Sequence, residues 1–153
     1  MKRQVFAIVV ALSLGWASAA LGQNPVEITS DLFVMNEEAQ EAVFTGNVVV
    51  IHPTVTVWAP KVVATYGAGG ATDIKSFIAS GGNVRLKTKD QDATGDNAVY
   101  TPGDQLLRLT GNVRVVNASG TVNASELVVN LATSVSTFTS SGGGRVTGVF
   151  TSQ

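Results

Sequence analysis

Three copies of Gly-Asn-Val, opening at Gly46, Gly82 and Gly111, are each followed thirteen residues later by a small residue: Ala59, Gly95 and Ala124. Carried onward, the register matches Val62 with Ala98 and Leu127, and Ala64 with Tyr100 and Val129. Lys61, Asn97 and Glu126 share the polar column between them. The faces stay in phase across all three copies, so the chain is built of one strand unit used repeatedly.

Within the third copy, Leu107, Leu109, Val113 and Val115 occupy alternate positions, with Arg108, Thr110, Asn112 and Arg114 between them. That is period two, with one apolar and one polar face. Gly111 interrupts the apolar set, which predicts a bend, a bulge or a close backbone approach there. Pro102-Gly103-Asp104 and Ala118-Ser119-Gly120 supply reversals, because proline fixes φ and glycine tolerates positive φ. Val, Thr, Gly and Ser dominate the chain, and no segment after Gln23 carries helical apolar spacing over three turns. The expected fold class is therefore all-β.

Further strands are expected over residues 42–51, 55–58, 62–66, 75–79 and 134–140, with a break at Ala59-Pro60 and a loose loop over residues 67–70. A short apolar piece spans residues 32–35. Residues 26–31 and 145–150 read as edge strands at the two ends, presenting Val26 and Ile28 at one and Val146 and Val149 at the other.

Met1-Lys2-Arg3, the apolar run over residues 5–14 and the small residues Ala17-Ser18-Ala19 have the three-part form of a cleavable secretory signal. We read residues 1–22 as that signal and 23–153 as one domain; an uncleaved anchor is the alternative, although its apolar run is short for a spanning helix. Loss of Lys2 and Arg3 takes the net charge from −1 to −3, which excludes nucleic acid as a natural partner. There is no cysteine, hence no disulfide and no thiolate metal site.

The string Gly95-Asp96-x-Ala98-x-Tyr100, Leu107-x-Leu109-Thr110-Gly111-Asn112-Val113-x-Val115 and Val122-x-Ala124-x-x-Leu127-x-Val129 resembles the OstA-like family, as do Phe44-Thr45-Gly46-Asn47-Val48 and Ile28-Thr29-Ser30-Asp31. The likeness is to its periplasmic, LptA-type lipopolysaccharide transport proteins and covers nearly all of residues 23–153. It implies a semi-open β-jellyroll, two stacked antiparallel sheets in a V. It also implies a periplasmic carrier of lipopolysaccharide between an inner-membrane LptC-type protein and an outer-membrane LptD-type translocon, joined end to end with copies of itself. A tethered LptC-type relative, or a β-repeat protein with no transport role, is the alternative.

On that reading the inward column is the acyl-chain surface: Val48, Val50, Val57, Val62, Ala64, Tyr66, Val84, Leu86, Ala98, Tyr100, Leu107, Leu109, Val113, Val115, Leu127, Val129, Leu131 and Phe138. Burial of acyl methylenes, at about 0.8 kcal/mol each, drives loading. The outward Arg85, Lys87, Arg108 and Arg114 read chiefly as a solubility face that discourages unwanted edge pairing.

Catalysis finds little support. His52 is the sole histidine, it precedes Pro53 at a strand end, and there is no Gly-x-Ser-x-Gly elbow. Asp90, Asp92 and Asp96 lack the glycine and terminal glutamate of a calcium loop and read as a solvated turn. Glu37, Glu38 and Glu41 fall in or beside a turn, where nothing separates their acidities. No enzyme activity, metal or cofactor is expected.

Overall fold

The computed structural model describes residues 26–141 and 144–151; the expected signal peptide, and residues 23–25 at the start of the expected domain, lie outside the described residues. The strands are β1 (Glu27–Thr29), β2 (Leu32–Asn36), β3 (Glu41–Ile51), β4 (Thr56–Tyr66), β5 (Ile74–Ser80) and β6 (Val84–Lys87). They continue with β7 (Gln91–Gly95), β8 (Asn97–Thr101), β9 (Leu106–Asn117), β10 (Gly120–Asn130), β11 (Val135–Thr139) and β12 (Thr147–Phe150). Every pairing is antiparallel. Among the described residues the one helical element is a 3-10 turn, Gly70–Thr72, which starts at the last residue of the expected loose loop.

The registers divide this network into two sheets that share their long strands. The first runs β2, residues 41–45 of β3, residues 61–66 of β4, β5, β8, residues 106–110 of β9, residues 126–130 of β10, and β11. The second runs β1, residues 48–51 of β3, residues 56–59 of β4, β6, β7, residues 113–117 of β9, residues 120–124 of β10, and β12. Each long strand therefore crosses from one layer to the other at its middle. The architecture is all-β, and both layers turn their apolar faces onto one core.

The crossing points line up as a seam. At Gly46-Asn47 and again at Gly111-Asn112 both residues take positive φ (86° and 47°; 80° and 49°), which shifts the ladder by an extra residue and bends the strand. The same clasp holds both bends. The Asp31 N–H donates to the Gly46 carbonyl (2.9 Å) and Asn47 Nδ2 donates to the Asp31 carboxylate (2.9 Å). The Asp96 N–H donates to the Gly111 carbonyl (2.9 Å) and Asn112 Nδ2 donates to the Asp96 carboxylate (3.2 Å). The expected bend at Gly111 is thus present, with a twin at Gly46.

Pro60 lies on the same seam, so the expected break at Ala59-Pro60 is a continuous strand instead. The ladder between β3 and β4 skips from Lys61↔Thr45 to Ala59↔Val48, so no regular bond is demanded of the missing proline N–H. The repeat offset also acquires a meaning: the valine of each Gly-Asn-Val stands opposite the small residue of its own unit, as Val48↔Ala59, Val84↔Gly95 and Val113↔Ala124. At Gly95 a β-carbon would stand 2.7 Å from Leu109 Cγ, so the small residue makes room for the facing layer.

Candidate functional site: an apolar cleft between the sheets

Two neighbouring inward rows on the first sheet define the interior. One reads Phe33–Phe44–Val62–Ala79–Ala98–Leu109–Leu127–Phe138, the other Met35–Ala42–Ala64–Phe77–Tyr100–Leu107–Val129. In the second row the small Ala42 and Ala64 lie between Met35 on one side and the large Phe77, Tyr100 and Leu107 on the other. Small side chains leave room between packed sheets that large ones fill. Over Ala42 and Ala64 lies an open cleft of about 830 Å³, walled by Phe33, Met35, Phe44, Ile74, Phe77 and Tyr100 on the first sheet and by Val26 and Ile28 on the second. Phe33 and Phe44 stack at its mouth, with ring centroids 4.7 Å apart. Behind it lies a narrow inner pocket of about 40 Å³, lined by Val50, Val55, Val57, Val62, Ala79, Ala98 and Leu107, among others.

The expected acyl surface is distributed unevenly about this space. Ala64, Tyr66 and Tyr100 line the cleft. Val50, Val57, Val62, Ala98, Tyr100 and Leu107 line the inner pocket. Val48, Val84, Leu86, Leu109, Val113, Val115 and Leu127 are buried side chains of the common core, with Val129 and Phe138 packed against it. Leu131 is half-buried just past the end of β10. None of these last ten lines the cleft or the inner pocket.

Several cleft residues escape the sequence reading. Phe77 follows Ser76 in a piece with no repeat motif, and Phe33 and Met35 belong to a short apolar run whose direction cannot be read without its partner strand. Of the expected edge residues, Ile28 belongs to the edge strand, whereas Val26 precedes it, because the edge expected over residues 26–31 pairs only over Glu27–Thr29; both line the cleft. The signal that could have found Phe77 is its alternation with Ala79, which shares its face.

His52 also lines the cleft. Its Nδ1 lies 2.9 Å from Thr54 Oγ1 and accepts the Thr54 N–H at 3.2 Å, so the neutral ring carries its proton on Nε2. Its ring meets Tyr100 edge to face at 6.0 Å. Partial burial lowers the pKa of His52 and raises that of Tyr100, so both stay neutral near pH 7. Glu37 lines the same cleft near its mouth. Among the described residues no three His, Asp or Glu side chains gather in a way that could hold a metal ion.

The outward basic residues do not form one patch. Arg85 lies over the Trp58 ring and is paired with Asp92, which lowers the Asp92 pKa and raises that of Arg85. Arg108 reaches Glu126 at 3.2 Å. At the ends, β1 and β2 each pair on one side only, as do β11 and β12. Leu32, Phe33 and Val149 are more than half exposed, as is Phe150 at 65%. Arg145 and Val146 precede the last strand instead of belonging to it, and Val146 is exposed.

Residues 27–135 match the family described as LptA/(LptD N-terminal domain) LPS transport protein. The chain belongs to this family. A curated relative, an uncharacterized protein of Rhizobium meliloti (strain 1021), is 32% identical over 103 residues, covering 63% of the chain. The chain spans about half (54%) of the length of that relative. The fold matches the crystal structure of LptH, described as the LptA-homologous periplasmic component of the lipopolysaccharide transport device of Pseudomonas aeruginosa. The TM-score is 0.72 at 16% identity, over 84% of this chain and 96% of that one. At that identity the match speaks to the fold, which is the layered all-β architecture of this family.

Proposed function

We propose that this protein is a periplasmic lipopolysaccharide carrier whose cleft holds acyl chains and whose sheets join end to end, bridging the inner and outer membranes. The observation that carries the reading is the cleft itself. A protein stabilised only by its own core fills its interior at native density, whereas here a cleft of about 830 Å³ stands open, lined mostly by apolar side chains with Glu37, Gln40 and His52 among them. Membership of a lipopolysaccharide transport family supplies the occupant. Each acyl methylene buried there contributes about 0.8 kcal/mol. The ligand surface on this reading is Ala64, Tyr66 and Tyr100 together with Phe33, Phe44 and Phe77.

The ends support the joint. β2 carries four consecutive exposed apolar residues from Leu32 to Met35, and β12 carries Val149 and Phe150 with no charge in the strand. Natural edges are normally shielded by charge, proline or a cover. Strand addition between one copy's last edge and the next copy's first is a heterologous contact that grows without closing. The same edges suit an LptC-type protein on one side and an LptD-type translocon on the other. Export by a cleaved signal over residues 1–22 completes the proposal.

The test is co-purification of lipopolysaccharide with residues 23–153, with a photo-crosslinker at Phe44 in the cleft and a second at the outward Lys61. Capture at Phe44 alone is expected; equal capture at both sites refutes the cleft. Removing residues 145–153 is expected to abolish concentration-dependent oligomers while the β-sheet circular dichroism remains. A truncated chain that still oligomerises refutes the end-to-end joint.

A further inference from the structure

We infer that a neck formed by Val26, His52, Phe77 and Tyr100 ends the lipid path within one copy and sets the length of acyl chain the cleft accepts; this rests on the acyl-chain reading above. These four residues line both the open cleft and the inner pocket. Phe77 and Tyr100 are cross-strand partners with rings 6.2 Å apart and nearly parallel (15°). His52 closes on Tyr100 from the other side, held by the turn in which the His52 N–H donates to the Val55 carbonyl (2.9 Å) and the Val55 N–H donates back (3.2 Å). The neck is therefore built from the middle strands of one sheet and a tied turn beside the other.

Beyond the neck the space is a blind end. The inner pocket holds only about 40 Å³, and past it Leu109, Val113, Val115 and Leu127 are at most 2% exposed. The pocket is lined almost wholly by carbon, with Ala79 and Ala98 as cross-strand partners whose small side chains leave the residual room. Such a space suits the terminal methyl of a chain and nothing polar. A chain entering over Ala42 and Ala64 gains burial with each methylene until its tip passes Phe77 and Tyr100. Further methylenes then have nowhere to go but back into water.

The experiment measures binding of a homologous series of n-alkyl maltosides, below their micellar concentrations, to residues 23–153 and to variants. Affinity of the wild type is expected to rise about fourfold per added methylene and then level off abruptly. Phe77→Ala joins pocket to cleft and is expected to move the levelling point to longer chains. Phe77→Leu, the milder change, moves it in the same direction. Phe33→Ala, at the mouth, lowers affinity across the series without moving that point. Levelling points that coincide in the wild type and both Phe77 variants overturn the neck while leaving the cleft intact. Absence of binding by any chain overturns the acyl-chain reading itself, and the neck with it.

Discussion

Gly111→Ala tests the seam that lets two sheets share their strands. Gly111 has φ +80°, and a β-carbon there would stand 2.8 Å from Asp96 Cβ, well inside the roughly 3.5–4.0 Å at which carbons rest. Gly70 is the control, with φ +68° and nothing within 4 Å of the added carbon. A left-handed alanine costs about 1–2 kcal/mol, offset by about 0.4–1 kcal/mol from stiffening of the unfolded chain, so Gly70→Ala loses no more than about 1.6 kcal/mol. At Gly111 the overlap adds about 1–3 kcal/mol, the usual range for forcing an extra carbon into a filled site. Relief by displacing Asp96 would sacrifice the bonds to the Gly111 carbonyl and Asn112, at about 0.5–1.5 kcal/mol each. The expected loss is about 2–4 kcal/mol, a Tm drop on the order of 10 °C for a domain of this size. Urea unfolding followed by tryptophan fluorescence reads it directly, since Trp58 is the one tryptophan after residue 22. Gly111→Ala and Gly70→Ala losing the same stability, within about 0.5 kcal/mol, would falsify the close-approach argument.

Leu109, 1% exposed between Ala98 and Leu127, is core on this structure, so Leu109→Ala is expected to lose about 2–5 kcal/mol in urea unfolding. His52 has its pKa lowered by burial, so the unfolded chain takes up the proton first as pH falls. Stability therefore declines below the ordinary histidine value near 6.5 and stops declining once the native ring is also protonated. His52→Gln is expected to flatten the profile between about pH 7 and 5, with acid loss from Asp92 setting in only toward the carboxylate range. A wild-type slope unchanged in the variant would assign that pH dependence elsewhere.

Much of the fold is legible locally. Period two is a property of neighbouring residues, and the thirteen-residue offset from Gly-Asn-Val to a small residue is the signature of a hairpin whose valine faces that residue, as Val113 faces Ala124. The bend at Gly111 is one of the few uses a glycine has among alternating apolar positions of a strand. Local pattern therefore settles the phase of the repeated strands and most of the inward column, but not Phe33, Met35 and Phe77, which join it only through their partner strands. It could not decide whether Ala59-Pro60 breaks a strand or rides a bend, since that depends on the β3 bulge, more than ten residues away along the chain. Nor could it divide the inward column into packed core and open cleft. The space between two sheets is set by the summed volumes of side chains that meet across strands, and Ala42, Ala64, Phe77 and Tyr100 become neighbours only through the registers of four strands. Periodicity says which side a residue faces; only the tertiary structure decides what, if anything, fills the space in front of it.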